Sequence, residues 1–469
     1  MPNTLGLHHL HCLYRVRLLT CWALLAALSL GACGGGGGGG DSGQTLPYTV
    51  GGTVSGLVGA GLTLGICHPT LGNPHSCHPH SELQIGANGV FTLGPVYPAG
   101  YSGGDVVTIT QQPSSPSQNC LINNVAVTIQ NANDNSVTVS CAAFLYVTNA
   151  ADNTVSAHSI DATTGALTVI GIPTATGFSP HAIVGFQNSA SDKRYVFVAN
   201  EGSNDVSALA VNNTTGALTA VPGSPFAAGT DPKAIMISDY SLYVANAGSD
   251  NIFAYDIDGN TGALTGHSTG ASGKGPTSIV FTGSYLVVAN HGGSNDISAF
   301  GTGPPPMLIS SYPAGGNPLS LALVGGAGGL FLYSANPDAT NPSISGFSID
   351  PTSGALTPLS GSPFPLPVSH YIATDQTGAY LYVTSGASVV GYGIDATTGA
   401  LTPLPGFPVA AGANAYSISI DPTNQFLYVT NDGAATVSGF TLDASTGALT
   451  PMAGSPFPAG SHPQFIATF

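Results

Sequence analysis

Tyr146-Val-Thr-Asn149 returns along the chain as Phe197-Val-Ala-Asn200, Tyr243-Val-Ala-Asn246, Val287-Val-Ala-Asn290, Tyr333-Ser-Ala-Asn336, Tyr382-Val-Thr-Ser385 and Tyr428-Val-Thr-Asn431, at intervals of 44 to 51 residues. Short apolar runs rich in β-branched and aromatic residues read as strands covered on both faces. After each comes a turn and a second alternating strand, as in Val206-Ser-Ala-Leu-Ala-Val211 and Val437-Ser-Gly-Phe-Thr-Leu442. A Thr-Gly-Ala-Leu turn then opens the next strand at Gly165, Gly216, Gly262, Gly399 and Gly447, with Ser353-Gly354 as a variant. Glycine suits that place because a tight hairpin needs positive φ. The fourth unit departs from the rule at Gly301-Thr-Gly-Pro-Pro-Pro306, where prolines forbid regular pairing.

A third pattern leads into an apolar strand at Pro180-His-Ala-Ile183, Pro232-Lys-Ala-Ile235, Pro276-Thr-Ser-Ile279, Pro318-Leu-Ser-Leu321, Ser369-His-Tyr-Ile372, Ala415-Tyr-Ser-Ile418 and Pro463-Gln-Phe-Ile466. The register is offset: the first Tyr-Val-Thr-Asn strand has no such strand before it, and the last lead-in has no partner after it. The strand from Pro463 therefore completes the first unit, which removes the exposed edges of a circular array. Four strands in about 46 residues, repeated seven times, fit propeller blades and not a helical solenoid. The fold expected is all-β: a seven-bladed β-propeller over residues 142–469, closed by its C-terminal strand. Trp22 is the one tryptophan, which argues against tryptophan-docked propeller repeats.

Residues 47–141 lack the repeat. Alternating segments such as Tyr48-Thr-Val-Gly-Gly-Thr-Val54 and Val106-Val-Thr-Ile-Thr110 predict a small β-sandwich of Ig-like or prealbumin-like type. In front of it, Arg15 and Arg17 precede an apolar run, Leu18 to Leu30, too short to span a bilayer and suited to a signal peptide. The sequence Leu30-Gly-Ala-Cys33 resembles the bacterial lipobox, which implies cleavage before Cys33 and lipidation of its thiol. Residues 1–33 then form a lipoprotein signal ending at the lipidated cysteine, and residues 34–46, opening with seven glycines, form a flexible linker. The expected location is the cell envelope, lipid-anchored, at the outer membrane or facing the periplasm, since Gly34 lacks the acidic residue associated with inner-membrane retention.

Four cysteines remain beyond position 33: Cys67, Cys77, Cys120 and Cys141. An even number in an oxidising compartment suggests two disulfides, Cys67–Cys77 and Cys120–Cys141. The stretch from Cys67 to His80 also carries His68, His75 and His78, a donor set that zinc or copper could use. Its spacing matches no standard zinc motif, so the disulfide is the preferred reading and no metal or cofactor is expected. Beyond the signal, four bases face twenty-two acids, a balance that repels nucleic acid and anionic membrane surfaces. The expected partners are a small molecule or an envelope protein, with membrane contact through the lipid anchor only and the chain a monomer. Gly266-His-Ser-Thr-Gly270 has the form of a hydrolase nucleophile elbow, but it follows a hairpin in an all-β repeat and lacks the strand-to-helix turn that the motif requires.

The Tyr-Val-Thr-Asn strands, the Ile-Asp-x-x-Thr-Gly-Ala-Leu-Thr hairpins and the Gly-Ser-Pro-Phe links at Gly223 and Gly454 resemble the lactonase-family (YVTN-repeat) propellers over residues 144–469, a family that includes bacterial 6-phosphogluconolactonases. The resemblance implies fold directly; the motifs are structural hairpins and carry no catalytic residue.

Blade geometry supplies candidates, because the loop leading into each innermost strand and the turn between the second and third strands share one face. The lead-in positions are His181, Lys233, Thr277, Leu319, His370, Tyr416 and Gln464, with Asp231 and His462 beside them; the second turn adds Glu201, His291 and Asp432. Polar groups converging on an axis, in a chain this poor in charge, mark a ligand site. His181, Glu201, Lys233 and His370 are candidate catalytic groups, and Asp231, His291, Tyr416, His462 and Gln464 candidate ligand-binding groups, with His181 and Glu201 expected closest because they share a blade. Two functions fit: binding of a ligand or protein partner through this face, the reading preferred on sequence alone, or hydrolysis of a small lactone. In the second, a histidine or Glu201 activates water and a lysine or histidine polarises the carbonyl.

Overall fold

The computed structural model describes residues 48–57, 60–67, 81–96, 105–113, 120–122, 126–127, 134–141, 143–188, 191, 193–302, 305–338, 341–366 and 371–469. The signal, the linker, Cys33, Cys77 and His370 lie outside them, as does the Cys67 side chain.

Among the described residues, every regular element is a strand. Toward the N-terminus two four-stranded sheets form. In one, Tyr48–Ser55 lies between Gly89–Val96 and Asp134–Ser140; in the other, Leu62–Cys67 lies between Ser81–Ile85 and Asp105–Gln111. Val50, Leu93 and Val137 of the first and Leu62, Leu64 and Val107 of the second belong to one apolar core. Cys120 and Cys141 are joined by a disulfide within this region.

Seven further sheets follow, each built on a four-stranded antiparallel path, and in five of them a two-residue strand also pairs with the third strand. The innermost strands of blades 2 to 7 are Pro180–Asn188, Pro232–Ser238, Pro276–Phe281, Ser320–Gly326, Ile372–Thr374 and Ala415–Ile420. Blade 1 is composite: Pro463–Thr468 pairs with Ala143–Asn149, Pro463 opposite Asn149 and Thr468 opposite Leu145. Gly266 to Gly270 runs along the outermost strand of blade 3, Leu264–Ala271, with no helix after it.

Inter-blade chemistry explains the repeated residues. In four of the motifs the leading tyrosine reaches the hairpin of the next blade: Tyr146 donates to the Gly216 carbonyl at 2.9 Å, Tyr333 to Gly399 at 2.6 Å, Tyr382 to Gly447 at 2.8 Å, and Tyr428 of blade 7 to Gly165 of blade 1 at 2.7 Å. Burial raises the pKa of each of these phenols, as expected where the neutral donor is needed. The glycine is needed twice over. Gly165 has φ 72°, and a Cβ there would stand 2.5 Å from the Phe426 ring. The motif threonine also crosses between blades: the Thr148, Thr384 and Thr430 hydroxyls donate to the lead-in carbonyls of His181, Tyr416 and Gln464. The terminal asparagine is buried and donates to the third strand of its own blade, as Asn149 does to Ser156 and Asn431 to Ser438. Asp205 and Asn251 accept the same kind of bond from Asn200 and Asn246.

Phe469 continues past the closing strand. Its ring lies over Gly185 of blade 2, edge-on to Tyr146 at 5.8 Å, with the Arg194 guanidinium 5.7 Å from its centre.

Candidate active site

All seven innermost strands enter from the same end of the propeller, and the strands beside them leave at that end. The backbone records this blade by blade: the Glu201 amide donates to Ser179, His291 to Gly275 and Asp432 to Asn414. Five of the strands, in blades 1, 2, 3, 4 and 7, start with a register shift, for example between Pro180 and Ile183 and between Pro463 and Ile466. Such a bulge breaks strict alternation, so consecutive side chains can turn toward the axis. A cavity of about 190 Å³ lies there, lined on one side by Ala182, Ala234, Ser278 and Ser320 and on the other by Tyr371 and Phe465, with Lys233 and Thr277 also in its wall.

Around this mouth the hydrogen bonds run in one direction. The Tyr371 hydroxyl donates to the Tyr416 oxygen at 3.2 Å, and Tyr416 lies 3.3 Å from His181 Nε2. His181 Nδ1 sits 2.9 Å from the Lys233 carbonyl, which can only accept. Nδ1 therefore carries the hydrogen and Nε2 accepts from Tyr416. Burial, reinforced by the Lys233 charge, lowers the His181 pKa to about 3. The imidazole is neutral, with both nitrogens engaged, and its ring packs 4.7 Å from that of Phe465. Burial likewise raises the Tyr371 and Tyr416 phenols, and the Glu201 charge adds to both shifts.

Two carboxylate-centred groups flank this chain. On one side Lys233 Nζ lies 2.7 Å from Glu201 Oε2 and 3.4 Å from Asp231 Oδ1. On the other, Asp432 Oδ1 accepts from His462 Nδ1 at 3.0 Å and Gln464 Nε2 at 2.9 Å, while its Oδ2 accepts from Asn414 at 2.7 Å. The two groups follow one rule: the residue leaving blade 2 or blade 7 binds the lead-in residue of the next blade.

Of the candidates named from sequence, the mouth holds His181, Glu201, Lys233, Asp231, Tyr416, His462 and Gln464; His370 lies outside the described residues. His291 stands at the same end of blade 4, its Nδ1 buried without a hydrogen-bond partner. The expected His181–Glu201 pair is replaced by two others. Glu201 binds Lys233 and His181 binds Tyr416, with the Lys233 residue linking them through its ammonium and its carbonyl. His181, a candidate catalytic group, is held neutral with both ring nitrogens engaged. Asp231 and His462 also have a backbone duty, with φ of 55° and 53° just before their strands, a conformation that Asp, Asn and His tolerate better than most residues. Tyr371 and Phe465 escape a search of lead-in positions. Their signal is an aromatic residue at a register filled elsewhere by Ala182, Ala234, Ser278, Ser320 and Ser417.

Comparison with known proteins bears on the fold. A periplasmic gluconolactonase from Pseudomonas aeruginosa superposes with a TM-score of 0.58 at 16% identity, covering 70% of this chain and 99% of that one. A candidate 6-phosphogluconolactonase from Bacteroides fragilis gives 0.59 at 19%, covering 70% and 98%. No curated protein matches by sequence. The sequence model of the family described as "Lactonase, 7-bladed beta-propeller" matches residues 130–229 and 307–467, more than half of the chain. The chain thus belongs to the lactonase family of seven-bladed β-propellers.

Proposed function

We propose that the propeller hydrolyses a small, uncharged lactone at the mouth of its central cavity. The observation that carries this reading is Lys233, an ammonium in the cavity wall held by Glu201 and Asp231 beside an aromatic and hydroxylated surface. A cation fixed there can donate to a lactone carbonyl and stabilise the oxyanion formed when water attacks. Glu201 aims and neutralises that cation. Tyr371 and Phe465 of the cavity wall offer apolar ring surface to a substrate, and the fixed His181 tautomer keeps the Tyr416 hydroxyl in one orientation. Family membership and the likeness to a gluconolactonase support the hydrolase over the binding reading that the sequence alone favoured.

Charge argues for a neutral substrate. Lys233 is already compensated by two carboxylates, and Asp432 adds a third on the rim, so a phosphorylated lactone would find little uncompensated positive charge. We further propose that the enzyme works in the cell envelope, anchored through Cys33; fatty-acid labelling of the intact chain, lost in Cys33→Ser, tests that part.

The activity is tested with a panel of neutral and phosphorylated lactones, read by acid release at constant pH. The expected result is turnover of a neutral lactone, falling about 10²–10³-fold in kcat/KM for Lys233→Met. A flat panel with the wild-type protein would return the propeller to ligand or partner binding.

A further inference from the structure

We propose that His462, oriented by Asp432, is the base that activates water in this hydrolysis, an assignment that rests on the lactonase reading above. A base needs a lone pair facing the substrate space and a partner that stabilises the charge it acquires. Of the described histidines at the mouth, His181 fails on both counts, since its nitrogens are occupied and its pKa lies at about 3. His291 has its Nδ1 buried without a partner and no carboxylate bound to it among the described ion pairs. His462 has such a partner, and its exposed side chain leaves the other ring nitrogen open to an approaching water. A carboxylate can only accept, so the 3.0 Å contact with Asp432 Oδ1 puts the hydrogen on Nδ1 and leaves Nε2 with its lone pair.

The burial is graded as such a pair requires. The His462 side chain is 62% exposed and that of Asp432 only 15%, so the carboxylate is fixed by the protein while the imidazole meets solvent. Gln464 and Asn414 take further lone pairs of Asp432 and hold it in place. The carboxylate is also felt at the mouth, for its charge contributes to raising the Tyr416 phenol, after burial and Glu201. Gln464, which shares Oδ1 with His462, precedes Phe465 in that wall.

Backbone need does not explain the imidazole. The corresponding position is Ser179, Asp231 and Asn414 in blades 2, 3 and 7, each with a φ between 50° and 55°. Any of those residues would satisfy the turn. The exit position is Ala150, Ala247 and Pro337 in blades 1, 3 and 5, so an acidic residue is not required there either.

In the step assigned, a water oxygen bonds to the lactone carbonyl carbon while its proton passes to His462 Nε2, and Lys233 donates to the oxyanion. Collapse of the tetrahedral species breaks the ring C–O bond. The proton on Nε2 then passes to the departing alkoxide. Lactone and water give the hydroxy acid, and the base is restored.

The test uses the purified full chain with glucono-δ-lactone and γ-butyrolactone as probes. His462→Asn is the main variant, because Asn414 shows that asparagine accepts this backbone conformation; His462→Gln and Asp432→Asn accompany it, with thermal melts to establish folding. The expected result is a 10²–10⁴-fold fall in kcat for both His462 variants, KM within about threefold, and loss of the acid limb of the kcat profile. Asp432→Asn should lower kcat less and move that limb. Turnover of either probe with kcat and the acid limb intact in folded His462→Asn would overturn the base assignment and leave the lactonase reading standing. No turnover of either probe by the wild-type protein would overturn both.

Discussion

Replacing Tyr428 by phenylalanine removes one oxygen atom at the seam between the last blade and the first. Tyr428 is fully buried, its hydroxyl donates to the Gly165 carbonyl at 2.7 Å, and Gly165 is buried as well. Phenylalanine leaves that carbonyl without its partner and opens a void the size of one hydroxyl. An unsatisfied buried acceptor costs about 1–3 kcal/mol, well above the net worth of an average hydrogen bond. In a domain this large each kcal/mol moves the midpoint by about 2 °C or less, so Tm should fall by roughly 2–5 °C. Urea melts should show a lower midpoint at unchanged slope. Tyr333→Phe, which removes the same bond to Gly399 inside the ring, should cost a similar amount. Tyr285→Phe is the control, since its hydroxyl meets the Thr352 carbonyl at the surface and should be nearly silent. A wild-type midpoint for Tyr428→Phe, or a loss in Tyr285→Phe as large, would refute the claim that this tyrosine locks the ring.

Three further outcomes are expected. His158 stands where the other blades place Leu209, Tyr255, Phe300, Phe347, Tyr392 and Phe440, with Nε2 on the Pro458 carbonyl and Nδ1 buried without a partner; burial lowers its pKa. The unfolded chain therefore binds the proton more readily, so stability is full above the ordinary histidine value of about 6.5 and falls as pH drops below it; His158→Phe should flatten that acid loss while His181 retains its own share, and identical pH dependence in equilibrium melts would exclude the role. Gly185→Ala would put a Cβ 2.3 Å from the Phe469 ring and should destabilise by about 1–3 kcal/mol, less in a Phe469→Ala background, as a double-mutant cycle of urea midpoints can show. Reducing the Cys120–Cys141 bridge, which spans 21 residues, should lower the stability of the N-terminal sheets by about 3 kcal/mol, measured by denaturant melts with and without reductant.

The propeller was legible because its recurring residues act between blades. A tyrosine that reaches the next hairpin and a glycine that admits it recur at four of the seven junctions, so the contacts appear in the sequence as a period. The site is written differently. Lead-in positions could be found by register, and they brought His181, Lys233, Tyr416 and Gln464 to the right end of the molecule. The partners could not be read, because the chain does not say that Glu201 reaches across to Lys233 while His181 turns inward to Tyr416. Tyr371 and Phe465 were hidden by alternation: a regular strand points neighbouring side chains to opposite faces, and at Phe465 a bulge relaxes that rule. Burial gave His181 its low pKa, and burial follows from how seven blades meet on an axis rather than from any local stretch.

The composite first blade has a consequence for how the chain is made. Synthesis delivers a polypeptide from its N-terminus, so Ala143–Asn149 emerges more than three hundred residues ahead of the Pro463–Thr468 strand that covers it. During that interval the first blade presents a bare inner edge, and six blades can form in order behind it without closing the circle. An unpaired edge held open for so long invites association with other chains. Folding of this propeller is therefore gated by delivery of its final segment, and any slowing of synthesis lengthens the time in which a chaperone must shield the waiting strand.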